Sequence, residues 1–180
     1  MLAEYAAAIM VEGSMGVKDL FIYGQGTCVY AEDYYVLAKV KNVGCEIIAT
    51  YNALAYIDRY RDFDRIKADF TSLNYYMLFG LFGSNPLKID DYLTSLSVEH
   101  KTYYSPKRFE SSLADGSVFI MSFWLGFPFA SGIHTIMGIY SEGSFLAYNY
   151  YNNSTEIFPA NTLEDLLDGG SFILGINIRG

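Results

Sequence analysis

Gly44-Cys45-Glu46-Ile47-Ile48-Ala49-Thr50-Tyr51-Asn52-Ala53-Leu54-Ala55-Tyr56-Ile57 decides how the chain is read. Gly44 lets the backbone turn sharply. The next residues place Ile47, Ile48, Tyr51, Leu54 and Ala55 at helical spacing. The stretch predicts a helix from Cys45 to about Asp58 or Arg61, with a thiol in its first turn. Asn52, Asp58 and Arg59 fall largely off the apolar face.

A second stretch answers it. Ile133 to Tyr140 and Phe145 to Tyr151 read as paired strands around Ser141-Glu142-Gly143-Ser144. A pairing symmetric about Ser141 and Glu142 sets Asn149 across from His134. The chain therefore offers a cysteine at a helix start, a histidine on one strand and an amide on the next.

That combination has a chemical reading. Only the thiolate is a good nucleophile. The positive end of a helix dipole and a nearby imidazolium both favour it. The imidazole needs a partner on its other nitrogen to fix its tautomer and direction. Cys45, His134 and Asn149 are the candidate nucleophile, base and orienter. A Glu46 carboxylate would oppose a thiolate next door, so its side chain is expected to point away.

Composition narrows the function classes. The chain has 180 residues, 52% of them hydrophobic, enough for one domain with a real core. Its net charge is −8 and it has no basic run, which argues against a nucleic-acid partner. Its 17 tyrosines suit the lining of clefts. Two cysteines, Cys28 and Cys45, make no disulfide framework, and with two histidines they show no zinc spacing. No metal and no cofactor is expected. Cys28 reads as a small core hydrophobe and His100 as a surface or satisfied strand residue. Asp58, Asp62 and Asp64 read as a solvated helix end. No Gly-x-Ser-x-Gly elbow is present. Asn152-Asn153-Ser154-Thr155 contains glycosylation sequons but reads first as a polar turn. No apolar run approaches 18 residues and no basic n-region opens the chain, so a cytoplasmic location is expected.

The remaining elements follow from punctuation and period. Leu2 to Met10 reads as a helix, Asp19 to Tyr23 as a short strand, and Gly24-Gln25-Gly26 as a turn. Tyr30 to Val40 is expected to cover the core beside the Cys45 helix. A second helix is expected from Asp64 to about Leu81. A third starts at Asn85 and Pro86 and buries Ile89, Leu93 and Leu96. Val98 to Tyr104 alternates as a strand. Pro106 to Leu113 is a short helix and Ser117 to Trp124 a buried strand. Leu125 to Gly132 is a loop whose aromatic neighbours would line a cleft. Asn161 or Thr162 caps a helix through Leu167, and Ser171 to Ile178 closes the chain. Helices first and antiparallel strands later predict an α+β fold, as one domain over 1–180. Its helical part runs to about 97 and its mainly β part from about 98.

Four stretches together, GCEIIATYNAL, GSNPLKIDDYL, LADGSVFIMSFW and GIHTIMGIYSEGSFLAYNYYN, resemble bacterial papain-like cysteine peptidases. The branch most similar is that of the double-glycine-leader-processing peptidases and their stand-alone relatives. The resemblance covers roughly residues 40 to 152. It implies a papain-like fold and hydrolysis of a peptide or peptide-like amide through an acyl-enzyme. It implies Cys45 as nucleophile, His134 as base and Asn149 as orienter. The family places a glutamine six residues before the cysteine as an oxyanion donor, and here that position is Lys39. Asn42 and Gln25 are the substitutes the sequence offers. The departure keeps a second expectation open, a weakly active or inactive papain-like module that binds peptides.

Overall fold

A computed structural model describes residues 21–125 and 132–178. The expected helix at Leu2 to Met10, the start of the Asp19 strand and most of the Leu125 to Gly132 loop lie outside the described residues. Chain order begins with a minimal hairpin, β1 (Tyr34–Tyr35) and β2 (Ala38–Lys39), and one helical turn, α1 (Val40–Val43). Then come α2 (Cys45–Tyr56), α3 (Phe63–Ser72), α4 (Lys88–Ser95), β3 (His100–Tyr103) and α5 (Pro106–Glu110). The β part holds β4 (Ser117–Trp124), β5 (Ile133–Ser141), β6 (Ser144–Tyr148), β7 (Phe158–Ala160), α6 (Leu163–Leu167) and β8 (Ser171–Ile178). Mixed helices and an antiparallel sheet are what the sequence predicts.

Six strands form one sheet in the order β3-β8-β4-β5-β6-β7. Every pairing in it is antiparallel. Strand alternation gives the sheet two apolar faces. Val118, Ile120, Met137 and Ile139 pack with Ile47, Ile48, Tyr51 and Leu54 of α2 in one core. Phe119, Met121, Phe123 and Ile136 belong to a second core with Phe109, Leu163 and Leu166. The central helix is buried all round, from Cys45 to Ala55. A helix buried on every side draws its stability from packing rather than from one amphipathic stripe.

Several boundaries differ from the sequence reading. The second helix ends at Ser72, not near Leu81. Asn74 takes φ 55 just past the end. The Tyr75 N–H then bonds the Phe70 carbonyl at 3.0 Å and the Asn74 N–H bonds Thr71 at 3.1 Å. This is the Schellman arrangement, which satisfies the last carbonyls and stops the helix. At the third helix, Asn85 Oδ1 accepts the Leu87 N–H at 3.0 Å. That bond closes a turn ahead of the helix: the α-helix begins at Lys88 with Leu87 at its N-cap, not at Asn85 and Pro86 as expected. The Val98 to Tyr104 strand shortens to His100–Tyr103.

The hairpin register is the larger correction. Ser141 pairs with Ser144 and Met137 with Tyr148. The turn is therefore Glu142-Gly143, with φ 49 and 79. Positive φ at both central residues marks the two-residue turn that suits strand twist. The pairing axis sits one residue later than expected. Asn149 is not opposite His134, and β6 ends at Tyr148 before reaching it.

Candidate active site

Gly44 opens α2 because a side chain there has no room. A Cβ would lie 2.7 Å from the Val40 side chain and carbonyl. The tight joint between α1 and α2 fixes Cys45 as the first helical residue. Its Sγ lies 3.3 Å from Glu46 Oε2 and 3.9 Å from the Ile133 carbonyl, so α2 and β5 meet at the sulfur.

The thiol is not the activated one the sequence suggests. Burial pushes its pKa well above the ordinary value, and the Glu46 carboxylate raises it further. Glu46 does not point away. It is buried, accepts from the Thr135 hydroxyl at 3.3 Å and from the Ser84 N–H at 3.4 Å. Burial pushes its own pKa up to about 7, against hydrogen bonds that favour the anion. The reason is geometric: no face of α2 near Glu46 reaches solvent.

His134 is the second residue of β5, and its ring packs edge-on to Phe123 at 5.8 Å. Its Nε2 lies 2.6 Å from the Asn149 main-chain carbonyl. A carbonyl only accepts, so Nε2 carries the hydrogen and Nδ1 keeps the lone pair. Burial holds the His134 pKa below its usual value.

Asn149 is beside His134 but holds it by main chain, not by side chain. Its φ of 58 turns the backbone out of β6. Its side chain faces Gln25 instead. Asn149 Oδ1 accepts the Gln25 N–H at 2.7 Å, and Nδ2 donates to Gln25 Oε1 at 3.3 Å. Gln25 Nε2 donates to the Lys41 carbonyl at 2.8 Å. Gln25 is thereby fixed between the loop at 24–26 and α1.

A cavity of about 430 Å³ joins these groups. Cys45, His134, Gln25 and Asn42 all line it, with Tyr150 and Tyr151 on the β side. Lys39 does not. Its ammonium turns outward to Glu32 at 2.6 Å. Of the two histidines, His100 is tied elsewhere, to the Val98 carbonyl at 2.8 Å and Asp90 at 3.2 Å. Cys28 is half-buried, and burial raises its thiol too. Among the described residues no cluster of side chains could hold a metal ion. Among them, too, no helix is long and apolar enough to cross a membrane.

Sequence reasoning missed two links, Glu46 to the sulfur and Asn149 to Gln25. The first had a signal: a charged residue in a stretch apolar on every face has nowhere to go but inward. The second joins residues 124 apart and had none.

No protein-family model and no curated protein matches this sequence. The structure does have likenesses. The peptidase domain of Streptococcus ComA, a bifunctional ABC transporter involved in a quorum-sensing pathway, superposes with a TM-score of 0.52. The match covers 79% of this chain and 93% of that domain, at 10% identity. At that identity the likeness is one of fold: the chain is similar in architecture to a bacterial peptidase domain.

Proposed function

We propose that the protein is a papain-like thiol peptidase or amide hydrolase. The observation that carries this reading is the cavity shared by Cys45 and His134, with His134 Nε2 held by a carbonyl. That hydrogen bond leaves Nδ1 as the proton acceptor for the thiol. Cys45 Sγ attacks the substrate carbonyl and His134 takes its proton. The amine leaves with that proton, and water resolves the thioester. Asn149 positions the imidazole through its backbone. The oxyanion is received by the Cys45 N–H and by Gln25, whose amide has a second N–H beyond the one given to Lys41. Asn42 lines the same cavity as a second candidate donor. The fold likeness to a peptidase domain supports the reading. The substrate is a peptide or peptide-like amide.

One observation favours the alternative, a module that binds peptides without cleaving them. The resting thiol is raised, not lowered, by its surroundings. Competitive alkylation separates the two. At about pH 6 the enzyme reading expects iodoacetamide to modify Cys45 at least about tenfold faster than Cys28. Equal rates, or amide hydrolysis that survives Cys45→Ala, overturn it.

A further inference from the structure

Glu46 follows Cys45 directly, so it is turned by about 100° around the helix. The turn carries it beneath α2, against the sheet. Oε2 meets Cys45 Sγ at 3.3 Å and the Ser84 N–H at 3.4 Å. Oε1 accepts from the Thr135 hydroxyl at 3.3 Å. Behind them, the hydroxyls of Thr135 and Ser122 share a hydrogen bond at 2.8 Å, and Ser84 donates to the Tyr35 phenol at 2.9 Å.

The partners at both oxygens are a thiol, an amide and a hydroxyl. All three are uncharged. Titratable neighbours arrive from three elements: Cys45 on α2, Tyr35 on β1 through Ser84, and His134 on β5, which lines the cavity with Cys45. Tyr35 is itself pushed up to about 12 by burial, with the Glu46 charge contributing, so it stays a neutral phenol. No cation among the described residues reaches either oxygen, and a buried carboxylate in that setting is costly, so the group neutralises instead. The contact with sulfur makes that neutralisation chemically consequential.

We propose that Glu46 gates the nucleophile: the Cys45 sulfur carries negative charge only while the Glu46 carboxyl holds a proton. With Glu46 protonated, its O–H donates to the thiolate, and the cysteine proton has left for solvent or, where the pair reacts, for His134. With Glu46 ionised, Oε2 accepts the S–H hydrogen bond, and a second negative charge in contact with it is excluded. The gate opens as pH falls through the carboxyl's raised value, near neutrality. Its meaning for catalysis rests on Cys45 and His134 being the reacting pair, but the gating of the thiol does not.

The test is the alkylation rate of Cys45 as a function of pH, mapped by mass spectrometry with iodoacetamide. An ordinary thiol gains nearly a hundredfold in rate between about pH 6 and about pH 8, since its thiolate grows tenfold per unit. The wild-type chain is expected to stay flat or fall over that interval. Glu46→Gln keeps shape and removes the charge, and at about pH 8 it is expected to react at least about tenfold faster than wild type. A Gln variant no faster than wild type, with unchanged circular dichroism, overturns the gate. Should that variant fail to fold, the wild-type profile decides, and a steady ordinary climb overturns it. His134→Ala separates the two claims. If it alkylates like wild type while Glu46→Gln still accelerates, the gate stands and the catalytic pair falls.

Discussion

The His134 Nε2–H donates to the main-chain carbonyl of Asn149 at 2.6 Å, while the Asn149 side chain binds Gln25. The orienting group is thus a peptide carbonyl, set by a backbone turn at φ 58. Glycine adopts that φ without strain. Asn149→Gly is therefore expected to lose no more kcat/KM than Gln25→Ala does, since it frees Gln25 but leaves the carbonyl on His134. Steady-state kinetics on a chromogenic peptide amide checks this. A loss well beyond that of Gln25→Ala would return the role to the side chain.

Asn149→Ala behaves differently. Alanine tolerates the left-handed backbone less well than asparagine does, and the buried Gln25 N–H loses its acceptor. Urea unfolding is expected to show a loss of about 2 kcal/mol. The Gly and Ala variants share the lost acceptor, so their difference in urea reports the backbone strain set against the larger unfolded-state entropy of glycine.

If Gln25 is the oxyanion donor proposed above, its removal is felt in the rate. Gln25→Ala is expected to lower kcat by about a hundredfold to a thousandfold. KM should move little, because the interaction strengthens only as charge develops. Lys39→Gln, at a position whose side chain turns out to Glu32, should leave the rate unchanged.

Glu46 also predicts a stability profile. Its folded pKa is about 7, above its ordinary value of 4.5. Between those values the folded state holds a proton that the unfolded chain has released. Stability therefore falls as pH rises through the interval, by about 3 kcal/mol in all. Glu46→Gln has no such proton to lose. The difference in unfolding free energy between variant and wild type should grow from about pH 5 to about pH 7 in the variant's favour. A difference independent of pH would mean that Glu46 is ionised throughout.

Much of this site was legible before the fold. The Gly44-Cys45 start, the apolar run to Leu54 and the glycine-bearing turn at 142–143 are local signals, and local signals fixed α2, β5 and β6. What failed was geometry that a single residue decides. Moving the hairpin axis by one position took Asn149 off the strand, since pairing register has a period of two. The expected side-chain contact between Asn149 and His134 became a main-chain one. The overlong second helix failed similarly: its apolar stripe continues past Ser72, but Asn74 accepts left-handed φ and lets the Schellman bonds end it. Gln25 shows the third kind of limit. Its place beside Cys45 comes from a loop docking on α1 and on the end of β6, and no local pattern encodes a contact across 124 residues.

The sheet itself can be tested at Gly138. It pairs with Phe119, and a Cβ there would lie 2.3 Å from the Phe119 ring. Both residues sit in fully antiparallel strands, so the backbone has little room to give. Gly138→Ala is expected to destabilise by about 2 kcal/mol through overpacking. Chemical denaturation checks it, and Phe119→Leu in the same chain should recover part of the loss.

The proposed hydrolase forms its covalent intermediate on Cys45 with His134 as base. The direct measurement is acyl-enzyme trapping: a short peptide activated as an ester, an acid quench, and peptide mapping by mass spectrometry. Acylation is expected on Cys45 alone, abolished in Cys45→Ala and strongly slowed in His134→Ala. Acylation on Cys28, or a Cys45 adduct that forms equally fast without His134, would contradict it.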